Sequence, residues 1–348
     1  MNTSETPSPQ LWFHRLATQY VEAQILFHLN RVGVFQHLDG SEARSAADIA
    51  ASLELDPELL ETLLDYIAQV DDLLERDAFG RYALSPFGNA VIERFSRQTD
   101  VGRIVNMFDV RVGCYGPVWS ALDRLLRREA RYGEQVHRNG ALASGAVHTL
   151  SGKLWPSLQS SIDAVGARWV AELGVSTALL EETAHADADI GLYGVDRDTH
   201  ALSTARSRMG TTCAARVEWI AGDVTEPDAW AARIDGSSPG LFFSVHFHEF
   251  LAQPIPRIQQ ALRDLRSRFP DAYVLAFEQP RLDDEAREDA DETLWLYAQS
   301  NVLIHHVIGN GKILPDEQWR DVFEGAGCRF ESIRPVDYLG YNAYLFQL

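Results

Sequence analysis

Two histidines and a glutamate follow an apolar stretch in the C-terminal half of the chain. Residues 241–245 are apolar apart from Ser244, and His246, His248 and Glu249 come directly after them. A buried parallel strand reads as a continuous hydrophobic run, and ligands of open α/β sheets bind just beyond the carboxyl ends of such strands. Imidazole and carboxylate groups can transfer protons or bind metal ions. We therefore expect a reaction to take place at this segment.

The composition is that of a globular protein whose size suggests two domains. The chain has 348 residues, of which 46% are hydrophobic. No apolar run approaches the roughly 18 residues that span a bilayer, and the first residues lack a basic segment followed by an apolar one. We therefore expect a cytoplasmic protein without a membrane partner. Cys114, Cys213 and Cys328 are far apart, without a C-x-x-C pair, and are interpreted as packing residues.

The net charge argues against one class of partner. A formal charge of −19 at pH 7 repels phosphate backbones, so nucleic acid is not an expected partner. The same charge is compatible with a small-molecule substrate that carries a positive charge.

The N-terminal part, residues 1–150, is predicted to be mainly helical. Short helices over residues 45–50 and 58–67 precede a hairpin over residues 73–85, which is the order of elements in a winged helix. The second of these helices carries three acidic residues and no Lys or Arg, the wrong sign for a DNA groove. We therefore predict a winged-helix-like dimerisation domain, and hence a homodimer. The acidic residues are Glu58, Glu61 and Asp65.

Residues 151–348 alternate between short apolar strands and amphipathic helices. This alternation predicts parallel βαβ units in a doubly wound, Rossmann-like α/β sheet. The last two strands are expected to form a hairpin. The predicted strands cover residues 169–173, 190–195, 217–220, 241–245, 273–277, 330–333 and 343–348.

Acidic residues at successive strand ends indicate a nucleoside-binding pocket. Gly174 follows the first strand and lets a cofactor approach the backbone, while Asp196 after the second strand suits ribose hydroxyls. Asp223 after the third strand suits an adenine amine. Because a G-x-G-x-x-G motif is absent, a cofactor without pyrophosphate, such as S-adenosylmethionine, is favoured over NAD. The predicted cofactor-binding residues are Glu172, Gly174, Asp196, Asp223 and Ser244.

With these residues the chain resembles the class I S-adenosylmethionine-dependent methyltransferases. The resemblance extends over nearly the whole chain and is to the small-molecule O-methyltransferase branch, which has a winged-helix-like N-terminal dimerisation domain. In that branch a His-Asp pair follows the fourth strand and its histidine is the catalytic base, a place that His248 and Glu249 occupy here. The C-terminal pattern also matches, at Gly311-Lys312, Trp319 and Ala326-Gly327-Cys328. Glu at 249 and Ser at 244 depart from the usual residues.

A histidine pair in a late helix distinguishes this chain from a plain O-methyltransferase. The resemblance implies that this helix lines the acceptor pocket, with Ile304 and Ile308 near its pocket-facing side. At about 100° per residue, His305 would then lie beside that side and His306 roughly opposite, and the choice between the two histidines stays open. His248 and His305 could then hold a divalent or ferric metal ion with open positions for a chelating 2-oxo acid. Such an ion would acidify the C3 hydrogens of the acid and direct methylation to carbon.

This arrangement resembles the 2-oxo acid C3-methyltransferases that build β-methyl amino acids in antibiotic biosynthesis. Some of these hold a metal through two histidines. Within that group the resemblance is closest to the enzyme that methylates 5-guanidino-2-oxopentanoate (2-ketoarginine). It implies that Glu249 or His248 takes the C3 proton. Arg111 could bind the substrate carboxylate, and the candidate partners of the guanidinium tail are Glu278, Asp291 and Glu292.

Two other functions remain open from the sequence. The first is a metal-free small-molecule O-methyltransferase in which His248 is the general base toward a phenol. The second is a non-catalytic regulator that senses a small ligand and binds DNA through the winged helix. The acidic second helix argues against the regulator.

Overall fold

The computed structural model describes residues 8–38, 42–96, 109–175, 178–283, 287, 291–338 and 340–348. The chain divides into two compact units, Met1–Ala146 and Val147–Leu348. The division falls inside the helix Gly140–Val165, close to the boundary at 150/151 that the sequence predicts. Every helix in the described ranges is too short or too polar to cross a membrane.

The N-terminal unit is a helical domain with a small antiparallel sheet. A hairpin turns at Phe79 and Gly80, where Gly80 has a φ of +76° and the Asp77 carboxylate accepts the Phe79 and Arg81 amides. The hairpin follows two short helices, as the winged-helix pattern requires. The elements in chain order are α1 (Pro9–Arg31), α2 (Val34–Leu38), β1 (Arg44–Ser45), α3 (Ala46–Leu53), α4 (Pro57–Val70), β2 (Leu74–Arg76), β3 (Arg81–Leu84), α5 (Pro86–Ser96), a π-helical turn (Asp109–Cys114), α6 (Gly116–Ser120), α7 (Leu122–Leu126) and α8 (Gly140–Val165), which continues into the second unit.

The C-terminal unit is a Rossmann-like α/β domain. Its seven-stranded sheet has the order β6-β5-β4-β7-β8-β10-β9, in which only β10 runs antiparallel to its neighbours β8 and β9. All seven predicted strands are present, including the final hairpin. The elements are β4 (Trp169–Leu173), α9 (Leu179–Ala186), β5 (Gly191–Asp196), α10 (Thr199–Arg208), α11 (Thr211–Ala214), β6 (Val217–Ala221), 3₁₀ turns at Pro227–Ala229 and Ala231–Arg233, β7 (Gly240–Ser244), α12 (Phe247–Phe250), α13 (Ile255–Arg268), β8 (Tyr273–Glu278), α14 (Glu292–Ile308), α15 (Asp316–Glu324), β9 (Arg329–Pro335) and β10 (Asn342–Gln347).

The central strands are covered on both faces, which explains their continuous apolar sequences. Every residue of β4 and β7 is buried. Alternate side chains of β7 enter different cores: Phe242 packs with Trp169 and Phe269 on one face, and Phe243 packs with Leu275 on the other. The polar residues that follow β4, β7 and β8 therefore emerge together at the carboxyl edge of the sheet.

Candidate functional site

A buried histidine and a buried glutamate join the carboxyl ends of β7 and β8. His248 lies on α12, directly after β7, and Glu278 is the last residue of β8. The His248 backbone amide donates to Glu278 Oε1 at 2.8 Å, and His248 Nδ1 lies 2.7 Å from Oε2. The side chains are 4% and 0% exposed. Burial raises the pKa of Glu278 well above its usual range, although the His248 amide opposes the shift.

This contact determines what the other nitrogen of His248 can do. When Nδ1 carries the proton and donates it to Glu278, Nε2 keeps its lone pair and can accept a proton or bind a metal ion. A carboxylate behind a histidine commonly fixes the tautomer and ring orientation in this way. The pair therefore acts as one chemical unit, with Glu278 holding His248 ready as a base or a ligand.

His305 on α14 lies directly against His248. The ring centroids are 4.4 Å apart and the ring planes are inclined at 73°. His305 Nδ1 lies 3.0 Å from the Asn310 carbonyl oxygen, which can only accept, so Nδ1 carries the hydrogen and Nε2 has the lone pair. Burial and the neighbouring His248 lower the pKa of His305, so the ring stays neutral. His306 is exposed.

Residues 309–312, which we call the histidine strap, connect the His305 ring to the backbone of His248. Besides the Asn310 carbonyl on His305, the Lys312 amide donates to the His248 carbonyl at 3.1 Å. Gly311 between them has a φ of +92°, and a Cβ there would lie 2.0 Å from the His248 carbonyl oxygen. Only glycine fits this position, which gives a physical reason for the Gly311-Lys312 pair.

Possible metal ligands surround His248, and we call His246, His248, Glu249 and His305 the histidine cluster. A first-row ion about 2.1 Å from two imidazole nitrogens at a right angle would put the ring centroids about 4.5 Å apart, close to the observed separation of His248 and His305. The ligand atoms of His246, His248 and Glu249 also lie within 4.8 Å of one another. Two imidazoles and a carboxylate suit first-row transition metals. His246 and Glu249 therefore lie beside His248, and metal binding by His248 and His305 stays a prediction.

The cofactor residues predicted from the sequence lie at the ends of adjacent strands. Gly174 has a φ of +77°, and a Cβ there would meet the Phe250 ring at 3.4 Å. Asp196 accepts the Val175 amide at 3.0 Å and the Asp198 amide at 2.8 Å through different oxygens, each of which has a second acceptor direction. Burial raises the pKa of Asp196, while these amides oppose the shift.

The other three cofactor residues differ in exposure. Asp223 accepts both the Thr225 amide and the Thr225 hydroxyl through Oδ1, at 2.8 and 2.7 Å. Burial opposes the shift, but these bonds lower the pKa of Asp223. Glu172 and Ser244 are fully buried, and Ser244 Oγ accepts the His246 amide at 3.2 Å. Their contact with a cofactor stays a prediction.

The structure gives Glu278 a contact that the sequence did not predict. Glu278 is completely buried and each of its oxygens contacts His248, which favours Asp291 and Glu292 as partners of the guanidinium tail. The sequence signal for its real place was a glutamate ending an apolar strand beside the histidine strand. Asp291 caps α14 by accepting the Leu294 amide, and Glu292 is exposed. Arg111 lies in the π-helical turn of the N-terminal unit, and its role stays a prediction.

The fold is similar to that of solved methyltransferase structures. No protein-family model and no curated protein sequence matches the chain. The mitomycin 7-O-methyltransferase MmcR matches with a TM-score of 0.68 and 15% identity, covering 97% of both chains. Human N-acetylserotonin methyltransferase in complex with S-adenosylmethionine matches at 0.64 and 16%, covering 100% of this chain and 99% of that one. LepI in complex with S-adenosylmethionine matches at 0.64 and 14%, covering 98% and 90%. The chain therefore has the Rossmann-like class I methyltransferase fold.

Proposed function

We propose that this protein is an S-adenosylmethionine-dependent methyltransferase that methylates C3 of a 2-oxo acid. The observation that carries the proposal is the pair of buried imidazoles, His248 and His305, whose ring centroids are 4.4 Å apart beyond the end of β7. General-base catalysis needs only one histidine, whereas a metal ion that chelates a 2-oxo acid needs at least two protein ligands. The leading candidate acceptor is 5-guanidino-2-oxopentanoate.

S-adenosylmethionine is the proposed methyl donor. Human N-acetylserotonin methyltransferase and LepI, which share this fold, were solved with it. Gly174 would allow close approach of the donor, Asp196 would accept hydrogen bonds from its ribose, and Asp223 would accept one from its adenine amine. Glu172 and Ser244 complete the predicted set. When bound, the donor supplies an electrophilic methyl group on a sulfonium.

His248 and His305 would hold a divalent or ferric ion, with His246 and Glu249 close enough to contribute. Such an ion would act as a Lewis acid toward a 2-oxo acid and make its C3 hydrogens more acidic. Glu278 orients His248 for this task through the Nδ1 contact, and the histidine strap orients His305.

The proton transfer falls to Glu249 or His248. If the Nε2 lone pair of His248 is engaged by an ion, Glu249 is the remaining base beside it. The base takes one C3 proton, and the electron pair left on C3 forms the new bond to the methyl carbon. The carbon–sulfur bond breaks, and its electrons return to sulfur to give a neutral thioether.

The acceptor assignment rests on charge. A desolvated guanidinium needs a carboxylate partner, and Asp291 and Glu292 at the start of α14 remain candidates. The net charge of −19 favours a cationic substrate over an anionic one. Arg111 remains the candidate for the substrate carboxylate.

A homodimer is part of the proposal. The first half of α1 exposes large apolar side chains that a partner surface would cover. They are Leu11, Trp12, Phe13, Leu16 and Tyr20, which are 44% to 66% exposed.

A metal-free O-methyltransferase is the second candidate. The His248–Glu278 pair is a complete general base without an ion. The name of one structural neighbour, mitomycin 7-O-methyltransferase, describes transfer to oxygen. A DNA-binding regulator has less support, because α4 would present Glu58, Glu61 and Asp65 to a phosphate backbone.

Labelled S-adenosylmethionine, offered with a panel of 2-oxo acids and phenols, tests both candidates. The proposal expects label on C3 of a 2-oxo acid, loss of turnover with a chelator, and recovery when metal is added back. Label on a phenol oxygen that persists with the chelator would establish the O-methyltransferase instead.

A matched pair of histidine variants separates the metal site from a general loss of folding. His305→Ala should lose bound metal and turnover, whereas His306→Ala, on the exposed side of the same helix, should keep both. Full activity of His305→Ala would refute the two-histidine site.

A further inference from the structure

A second group of metal-ligand side chains lies on other elements of the C-terminal unit. Glu181 and His185 are on α9, and Cys213 is on α11. Their ligand atoms all lie within 4.8 Å of one another. None of the three belongs to the elements that carry the histidine cluster, so the group is independent of the proposed function.

Local structure holds two of the ligands in place. Glu181 and His185 are four residues apart on a helix, which puts both side chains on one face. The Gly210 amide donates to Glu181 Oε1 at 2.9 Å, so this carboxylate oxygen links α9 to the residue just before α11. The other oxygen, Oε2, can then act as a metal ligand. Cys213 on that short helix is 7% exposed, so its sulfur faces inward toward α9 rather than toward solvent.

Hydrogen bonds from Arg216 anchor the end of α9. Arg216 donates to the Ala184 carbonyl and, at 2.8 Å, to the Asp187 carbonyl, which anchors the last turn of the helix. His185 is in this turn, where the helix dipole favours positive charge. Arg216 itself is a cation near this end, so the ligands rather than the surrounding field must provide the affinity.

The three donor types select the ion. A thiolate, an imidazole and a carboxylate suit a borderline-soft divalent ion such as Zn²⁺, and they do not suit Mg²⁺ or Ca²⁺, which prefer oxygen ligands. Tetrahedral coordination at about 2.0–2.3 Å requires donors about 3.5 Å apart. Side-chain rotations that move each ligand atom by about 1 Å would bring the three ligand atoms to that spacing.

We propose that Glu181, His185 and Cys213 form a Zn²⁺-class site with three protein ligands that joins α9 to α11. The fourth position is open to water, because His185 is exposed and Glu181 is half-buried. Binding converts the Cys213 thiol to a thiolate and releases one proton to solvent, while the neutral imidazole and the carboxylate bind without losing a proton. The site differs in chemistry from the histidine cluster, which has no sulfur ligand.

Co²⁺ is a suitable probe because a thiolate ligand produces a charge-transfer band in the near ultraviolet, which histidine and carboxylate ligands do not. Metal-free full-length protein titrated with Co²⁺ should develop this band, with a final amplitude that corresponds to one thiolate-bound Co²⁺ per chain. Addition of Zn²⁺ should abolish it by displacement, and Mg²⁺ should leave it unchanged. Zn²⁺ should also raise the thermal midpoint, since an ion that binds only the folded state stabilises it.

Variants decide which residues are responsible. Cys213→Ser should lose the band, and His185→Ala should weaken Co²⁺ binding at least tenfold. His185 is exposed, so its replacement does not threaten folding, and His200→Ala is the exposed control on the next helix. Absence of a band in the wild-type protein, or its persistence in Cys213→Ser, would overturn the proposal.

A further variant separates this proposal from the proposed function. His248→Ala should keep the thiolate band while it loses turnover. The zinc proposal can therefore fail while C-methylation stands, and the reverse is also possible.

Discussion

Replacing Glu278 with glutamine tests the unit of histidine and glutamate. The side chain is completely buried, and its two oxygens lie 2.8 and 2.7 Å from the backbone N and the Nδ1 of His248. The amide oxygen of glutamine must face the backbone N–H, because a donor cannot replace an acceptor there. The amide NH₂ then faces Nδ1, so His248 must carry its proton on Nε2 and lose the lone pair directed to the site.

The expected loss is large in function and small in stability. Forcing a catalytic histidine into the wrong tautomer lowers kcat about 10⁴-fold in a serine protease. Removing the carboxylate behind a metal-bound histidine weakens metal binding about 10- to 100-fold, or about 1.4–2.7 kcal/mol. Folding should be retained, because the hydrogen-bond count is unchanged and a neutral amide is less costly to bury than a carboxylate.

Metal content after dialysis, turnover of S-adenosylmethionine and the thermal midpoint should be measured for Glu278→Gln beside Glu317→Gln. The second variant removes one carboxylate from the exposed start of α15, which has no place in the proposed site, and should behave as the wild type. Glu278→Gln with metal affinity and kcat within threefold of the wild type would refute the orienting role of the buried carboxylate.

Three further predictions concern other parts of the chain. Asp196→Asn should weaken S-adenosylmethionine binding about 10- to 100-fold, because the ribose loses a charge-assisted hydrogen bond. Calorimetry measures this affinity, and an unchanged value would remove Asp196 from the set of cofactor-binding residues. Gly311→Ala should lose bound metal because its Cβ would lie 2.0 Å from the His248 carbonyl oxygen. Gly309→Ala also introduces alanine at a positive φ, +62°, but its Cβ meets no other atom, so this control should keep the metal. The hydrogen bond with Asp71, then burial, raises the pKa of Glu22 from 4.5 to about 7 in the folded state. The contribution of Glu22 to the free energy of unfolding is therefore complete below pH 4.5 and is lost as the pH rises through 7. Urea unfolding at a series of pH values should show this loss of stability in the wild type and not in Glu22→Gln.

Secondary structure was predictable because burial leaves a periodic trace in the sequence. The strand β7 is buried on both faces and is therefore apolar apart from Ser244, and the polar residues after it indicated the site. The hairpin at Phe79 and Gly80 was predictable for a similar reason, since glycine readily adopts the φ of +76° that the turn requires. Both signals are local, so they survive in the sequence alone.

The partner of His248 was not predictable from local signals. Glu278 is thirty residues away, and the sequence suggested it only as a candidate partner of the substrate. Its position next to His248 follows from the order of strands in the sheet, which places β8 beside β7. The closeness of His246 and Glu249 to His248 likewise depends on how α12 turns away from β7. The strap contact between Asn310 and His305 requires the φ of +92° at Gly311.

By itself, the sequence left open whether His305 or His306 faces the site, but it determined the α/β class, the positions of the strands and the edge of the sheet where a site was expected. These follow from hydrophobic period and helical geometry, which act over a few residues. Only the tertiary structure decided that Glu278 orients His248, that the histidine strap connects the His305 ring to the backbone of His248, and that Glu181, His185 and Cys213 meet. Such contacts join residues far apart in the chain, and the packing of whole elements brings them together.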